Sequence, residues 1–286
     1  MTAPAPPAMP PAEERRLLEK DARLREALAG MGSVIVAFSG GTDSAYLAWA
    51  ATSVLGSAAH CVTADSPSYP SRHRASAERL ARDFSLQHEF IVTGEMEKPE
   101  YRANEPDRCY HCKQELFTQL NALARERRIA AVLDGANADD RGDYRPGRKA
   151  ARELGVRSPL DDAGLTKAEI RELSRRAGLP TWDEPASACL SSRIPYHSEV
   201  TPEKLAMIER AEDALIALGF RVCRVRHHGD VARVELGPGE MARALEPETR
   251  DAIVRDLKAI GYRYITLDLQ GYRMGSLNEG VRLQPV

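Results

Sequence analysis

Val34-Ile35-Val36-Ala37-Phe38-Ser39-Gly40-Gly41-Thr42-Asp43-Ser44 is the stretch on which the fold turns. An apolar, β-branched run enters a Ser/Gly turn, and helix-forming sequence resumes from Ser44 to Leu55. Strand, glycine-rich turn and helix together converge several backbone N–H groups on one point. The helix dipole adds to that field, so the point suits a phosphate or pyrophosphate. Gly40 and Gly41 allow close backbone approach. Ser39 and Ser44 add hydroxyl donors, Thr42 completes the turn, and Asp43 is placed to hold a magnesium ion. No Gly-Lys-Ser/Thr follows, so this is not the Walker loop. A plain strand-to-helix turn is the bland alternative; the whole hexapeptide between a strand-like and a helix-like run argues against it.

Outward from this stretch the chain alternates. A charged amphipathic helix over Glu13–Ala29 precedes it. Strands are expected at Ala58–Thr63, Glu89–Val92 and Ala131–Leu133. Helices are expected at Arg72–Phe84 and Cys109–Arg127, and Lys98–Asp107 reads as loop. Strands alternating with helices at this spacing give an α/β fold with a doubly wound parallel sheet. Ligands of such sheets sit beyond the carboxyl ends of the strands, where SGGTDS and the Asp134–Asp140 segment both fall. Thr166-Lys167-Ala168-Glu169 fits a capping box opening another helix. Thr201-Pro202 starts a helix to Leu218-Gly219. Val222–His228 and Ala232–Leu236 then read as a hairpin turned by Gly229-Asp230. A helix at Glu248–Ile260 and a strand at Tyr264–Asp268 complete a smaller C-terminal α+β domain. The expected division is a disordered tail (1–12), the nucleotide domain (13–185), a cysteine loop and hinge (186–200) and the C-terminal substrate or oligomerisation domain (201–286).

With 286 residues, 29% of them charged, and a formal net charge of −2, bulk-charge binding to nucleic acid is not favoured. No apolar run approaches a membrane span, and no basic n-region precedes an apolar stretch, so a cytoplasmic protein without a signal peptide is expected. Five cysteines in such a chain gain weight as ligands or nucleophiles rather than disulfides. Cys189 is surrounded in sequence by Ser187, Ser191, Ser192 and Arg193, groups that favour a thiolate over the small hydrophobe a cysteine more often is. Cys109-Tyr110-His111-Cys112 has several readings. It is half a zinc site without its second half, a redox pair distant from the first βαβ unit, or two of three cluster ligands if Cys189 folds nearby. Two unrelated thiols remain the alternative. Cys61 and Cys223, each inside a strand, read as packing residues.

Arg224 and Arg226 are two apart on an expected strand and share a face, which matches a phosphate; solvated strand charges are the competing reading. Asp134, Asn137 and Asp139 follow a strand end and are placed for nucleotide or metal, or for an Asx turn alone. Arg193 has two readings, steadying an adenylate or thiolate and making a structural ion pair. From sequence alone Glu212 is an exposed helix glutamate.

The SGGTDS loop resembles the PP-loop of the ATP pyrophosphatases. Together with Leu133-Asp134-Gly135-Ala136-Asn137-Ala138-Asp139-Asp140 and Ala186-Ser187-Ala188-Cys189-Leu190-Ser191-Ser192-Arg193-Ile194-Pro195, it resembles the LarE family of ATP-dependent sulfur transferases over about residues 15 to 275. The resemblance implies an enzyme of nickel-pincer nucleotide synthesis acting on pyridinium-3,5-dicarboxylate mononucleotide, with ATP and Mg²⁺. It implies phosphate binding by Arg224 and Arg226 and a functional acid at Glu212, and it implies a trimer-based hexamer. In one branch of that family the counterpart of Cys189 gives up its own sulfur and becomes dehydroalanine. In another, three cysteines hold a 4Fe–4S cluster whose bound sulfide is the donor. The pair Cys109 and Cys112 inclines this chain to the cluster branch, with Cys189 the third ligand.

Two other function classes stay in view. Another PP-loop enzyme, such as a tRNA thiolase or an ammonia-using amidating synthetase, would show salt-sensitive RNA binding in the first case. A nucleotide- or metal-binding protein without turnover would bind ATP and release no pyrophosphate.

Overall fold

The structure is a computed structural model that describes residues 9–141, 146–185 and 188–273. In chain order its first part comprises α1 (Pro11–Met31), β1 (Val34–Ala37), α2 (Thr42–Leu55), β2 (Ala59–Asp65), α3 (Ser71–Asp83), β3 (Gln87–Val92), α4 (Pro99–Arg102), α5 (Arg108–Arg127) and β4 (Ala131–Leu133). Then follow α6 (Pro146–Glu153), α7 (Pro159–Asp162), α8 (Lys167–Arg176), α9 (Pro202–Ala217), β5 (Cys223–His228), β6 (Val231–Leu236), α10 (Met241–Ala244), α11 (Pro247–Ile260) and β7 (Tyr264–Leu267).

The first four strands form one parallel sheet in the order β3-β2-β1-β4. The period-two alternation of β1 sets the layers. Val34 and Val36 join Leu17, Leu24 and Leu28 of α1, Ala45 and Leu47 of α2, and Ile170 and Leu173 of α8. Ile35 points the other way, into Leu116, Phe117 and Leu120 of α5 and Ala151 of α6. Both faces of β1 are therefore covered, as its unbroken apolar run requires. Each of the Val, Leu, Ile and Phe side chains among these contributes about 1.5–3 kcal/mol of burial. The strand order reverses between β1 and β4, so the loops after these two strands flank the switch point at which such sheets take ligands.

The second sheet pairs β5 and β6 antiparallel and β6 and β7 parallel. Helices α9 and α11 cover it, with Leu215, Phe220, Val225, Val234, Leu257 and Tyr262 in the core. The turn at Gly229-Asp230 is where the sequence places it. The capping box also forms: the Thr166 hydroxyl accepts from Glu169 N–H, and Glu169 accepts from Thr166 N–H at 2.8 Å.

Several local readings differ. Lys98–Asp107 is not a plain loop; its proline starts the one-turn helix α4, and Tyr101 is buried there. Pro11 and Ala12 already belong to α1, and the rest of the expected tail, residues 1–8, lies outside the described residues. So do Ala186, Ser187 and residues 274–286. Among the described residues no helix is long and apolar enough to cross a membrane.

Candidate active site

The loop after β1 is held by its own serines. Ser39 N–H donates to Ser44 Oγ at 3.2 Å, the two hydroxyls lie 3.0 Å apart, and Ser44 Oγ donates to Gly41 O at 3.0 Å. Gly40 has φ +73°, a left-handed conformation that disfavours any side chain, and a Cβ there would meet Ala77 of α3 at 3.3 Å. Thr42 donates its hydroxyl to Thr181 O at 2.7 Å and is thereby spent on structure. Asp43 faces Lys167, with Nζ 3.5 Å from Oδ2, while its Oδ1 is buried without a partner. Burial raises its carboxyl against the pull of Lys167. A buried carboxylate oxygen left open beside a phosphate-type loop fits a divalent cation.

The loop after β4 closes on this one. A Cβ on Gly135 would stand 3.1 Å from Ser44 N, so the two backbones touch. Asp134 accepts from Ala136 N–H at 3.2 Å and from the Ser158 hydroxyl at 2.7 Å, and burial raises its carboxyl. Asn137 caps the turn at Ala138–Asp140 by accepting from Asp139 N–H at 3.0 Å. Asp139 accepts from Lys167 N–H at 2.8 Å. The Asx turn is realised at Asp134 and Asn137, while Asp139 bonds the distant Lys167 N–H instead. The side chains shape the loop and anchor the start of α8, which carries Lys167 to Asp43. Sequence reasoning saw Lys167 only as part of a capping box.

Cys189 is half-buried and precedes the 3-10 turn Leu190–Arg193. Arg193 is wholly buried. Its Nη1 donates to Ala188 O at 2.7 Å and Cys189 O at 2.9 Å, and its Nε and Nη2 form a fork on Glu212, at 2.9 and 3.1 Å. Glu212 also accepts from Val225 N–H at 3.2 Å and from Arg72 Nη2 at 2.7 Å. Burial would raise its carboxyl; Arg193, Arg224 and Arg72 outweigh that and hold it down at about 2. The reading of Glu212 as an exposed helix glutamate is thus corrected: it has no exposed surface, because α9 turns it beneath the cysteine loop. The ion pair, one of the two readings of Arg193, is formed.

Arg224 and Arg226 are buried, which removes the solvated-charge reading. Arg226 donates to Ser192 O at 2.8 Å and pairs with the buried Glu235 at 2.7 Å. Arg224 donates to Cys223 O at 2.7 Å and lies over the Tyr272 ring; burial and Arg193 lower its pKa. Cys109 is exposed and Cys112 half-buried in the first turns of α5. Burial pushes the Cys112 thiol up to about 12, with Cys189 and Cys109 contributing. The three thiols share one neighbourhood. Among the described residues, however, no three His, Cys, Asp or Glu side chains are gathered at one point to hold a metal ion. Cys61 and Cys223 are buried packing residues, as expected.

Two adjacent residues join the halves. Ser68 O accepts from Leu190 N–H at 2.9 Å, and the Tyr69 hydroxyl donates to Ser39 O at 3.0 Å. The cysteine loop and the phosphate-type loop therefore hang on one short segment between β2 and α3. A cavity of about 380 Å³ opens beside it, lined by Asp65, Ser66, Tyr69, Arg74 and Glu209. Sequence reasoning missed Arg72 and His73 at the start of α3. Burial takes the His73 imidazole down to about 4, with Arg72, Arg193 and Arg224 adding to the shift. Neither residue carries a sequence signal in a helix this rich in arginine.

No family model matches the chain. Among curated proteins, the pyridinium-3,5-bisthiocarboxylic acid mononucleotide synthase of Lactiplantibacillus plantarum is 37% identical, over 92% of this chain and 95% of that protein. The chain belongs to the LarE family. An uncharacterised protein of Synechocystis is 42% identical over 89% of the LarE-family chain and 95% of its own length. One of Methanocaldococcus jannaschii is 26% identical over 91% and 98%. The LarE assignment supports an enzyme of cofactor biosynthesis and agrees with the parallel sheet and small second sheet described above.

Proposed function

We propose that this chain adenylates a carboxylate of pyridinium-3,5-dicarboxylate mononucleotide with ATP, releases pyrophosphate and replaces the activated oxygen by sulfur. The observation that carries this reading is the Ser68–Tyr69 segment, which holds the phosphate-type loop and the Cys189 loop side by side. The N–H groups from Gly40 to Ser44 cradle the departing phosphates, and Lys167 faces them. Asp43 is the residue whose open oxygen would hold Mg²⁺, which when bound supplies charge neutralisation to the phosphates. Arg224 and Arg226 supply guanidinium charge for the substrate phosphate, with Arg193 and Glu212 fixing the main chain of Cys189.

For the sulfur source we propose a cluster on Cys109, Cys112 and Cys189. The three thiols are of the right type and stand in one another's electrostatic field, although the described residues do not gather them at one point; a 4Fe–4S group held there would supply sulfide. If Cys189 itself is the donor, its thiolate attacks the acyl-adenylate and AMP leaves. Loss of the Cα proton with Cβ–S cleavage then gives thiocarboxylate and dehydroalanine.

The test is pyrophosphate release on adding the mononucleotide, together with iron and acid-labile sulfide on anaerobically purified protein. Substrate-dependent release is expected, with iron lost in Cys109→Ala, Cys112→Ala and Cys189→Ala. Absence of iron after reconstitution, with dehydroalanine at position 189 after turnover, overturns the cluster reading. Absence of pyrophosphate release with ATP bound overturns the enzyme reading.

A further inference from the structure

A second cavity of about 380 Å³ opens at the start of β4, at the end of the parallel sheet opposite the phosphate-type loop. It lies between the last turn of α5, the start of β4 and the residues after α6. Arg125 and Arg157 both line it, together with Asn121, Val132 and Gly155. Among the described residues neither guanidinium has an ion-pair or hydrogen-bond partner. Arg127, two residues further along α5, pairs with Glu89. An exposed, unpaired arginine is ordinarily a solvated surface charge. The backbone between these two argues for more.

Val132 O accepts from Arg157 N–H at 2.9 Å, and Arg157 O accepts from Asp134 N–H at 2.9 Å. Arg157 thus adds one parallel bridge to the sheet, opposite Leu133. In a strand the N–H and C=O of one residue point to the same edge. The N–H of Val132 therefore points to the outer edge of β4, beside its carbonyl. The bridge does not reach it: among the described residues no acceptor meets this N–H. Val132 is only 3% exposed. Buried backbone donors are nearly always paired. An unpaired one on the wall of a cavity that also holds two unpaired guanidiniums calls for an acceptor that is anionic and rich in oxygen. Nearby carbonyls that would repel such a group are already spent. Ala124 O accepts from Ile129 N–H, and Leu154 O accepts from Asn121 Nδ2, both at 2.8 Å.

We propose that this cavity binds a phosphate-type oxyanion, free or as a small ester, held by Arg125, Arg157 and the N–H of Val132. Two guanidinium forks from different elements and one N–H suit an anion with several equivalent oxygens. The site stands apart from the phosphate-type loop and needs nothing of the sulfur-transfer reading. It bears on the nucleotide loop all the same: the carbonyl of Arg157 holds Asp134 N–H, and the Ser158 hydroxyl holds the Asp134 carboxylate.

The experiment titrates the full chain, labelled with ¹⁵N-valine, with inorganic phosphate at constant ionic strength in chloride. The Val132 amide proton is expected to move downfield and saturate, with half-saturation at about 1 mM. Arg125→Gln and Arg157→Gln, both at exposed positions, should each weaken this binding by about tenfold. Arg224→Gln should leave the Val132 titration unchanged, which separates it from phosphate bound elsewhere. Phenyl phosphate binding more tightly than inorganic phosphate identifies an ester as the occupant, and the reverse order identifies the free ion. No saturable movement of Val132 by about 20 mM phosphate overturns the proposal. So does an equal movement in chloride alone, or one that persists in the folded Arg125→Gln/Arg157→Gln protein.

Discussion

Replacing Glu212 by Gln removes one charge from a carboxylate that has no exposed surface and accepts from Arg193, Arg72 and Val225 N–H. An ordinary glutamate titrates near 4.3, and this one is held at about 2. The depression of about two units corresponds to about 3 kcal/mol of folding stability. Because the folded value lies below the unfolded one, that stability is fully present above about pH 4.3. It is lost as the pH falls towards 2. Glu212→Gln also leaves the wholly buried Arg193 without its counter-charge, a change that costs about 3–5 kcal/mol in buried pairs. The expected loss at pH 7 is therefore about 3–5 kcal/mol in unfolding free energy from urea titration, and the gap to wild type should narrow as the pH is taken from 5 towards 2. Adding Arg193→Met should recover part of the loss, since the pair then leaves together and Arg72 has solvent access. A loss below about 1 kcal/mol at pH 7, or a gap that does not change with pH, would refute the argument that Glu212 is the ionised pivot of the cysteine loop.

Gly135→Ala should weaken ATP binding by about tenfold in calorimetry, because the new Cβ presses on the backbone of Ser44 at 3.1 Å and backbone yields little. Tyr69→Phe removes the bond to Ser39 O, worth about 1 kcal/mol, and should slow pyrophosphate release about fivefold while unfolding midpoints move little. The His73 ring, held near 4 by burial and three arginines, should show flat NMR shifts from pH 8 to 5; a midpoint near 6.5 would contradict its placement. Asp43→Asn should raise the Mg²⁺ concentration needed for half-maximal pyrophosphate release, and an unchanged Mg²⁺ dependence would count against Asp43 as the cation's ligand.

The sheet and the phosphate-type loop were legible because each depends on short-range pattern. The run Val34–Phe38 alternates its contacts between two layers, and the SGGTDS turn is built from its own hydroxyls. Thr166 to Glu169 declared its own cap. What stayed hidden depends on which residues the tertiary fold brings together. Glu212 sits in a helix whose composition permits exposure, and only the packing of α9 under residues 188–193 buries it. Arg72 is one of four arginines in α3, and nothing local marks it as the one that meets Glu212. Asn137 makes the local bond that the sequence offered it, whereas Asp139 reaches the distant Lys167 N–H, which no local pattern marks.

The net charge of −2 was used to set aside polyanions, yet the site concentrates charge of the opposite sign. Around the cysteine loop stand Arg72, Arg193, Arg224 and Arg226 against the buried carboxylates Glu212 and Glu235, with Asp213 half-exposed at the edge. Glu212 balances one guanidinium while touching two, and Arg224 lies in the field of Arg193 with its own pKa lowered by burial and by that neighbour. Among the described residues these guanidiniums stand in one another's field, which favours an anion beside them. Under the proposed function, a mononucleotide carrying carboxylates and a phosphate would meet that field. Binding and stability are then linked through the same groups.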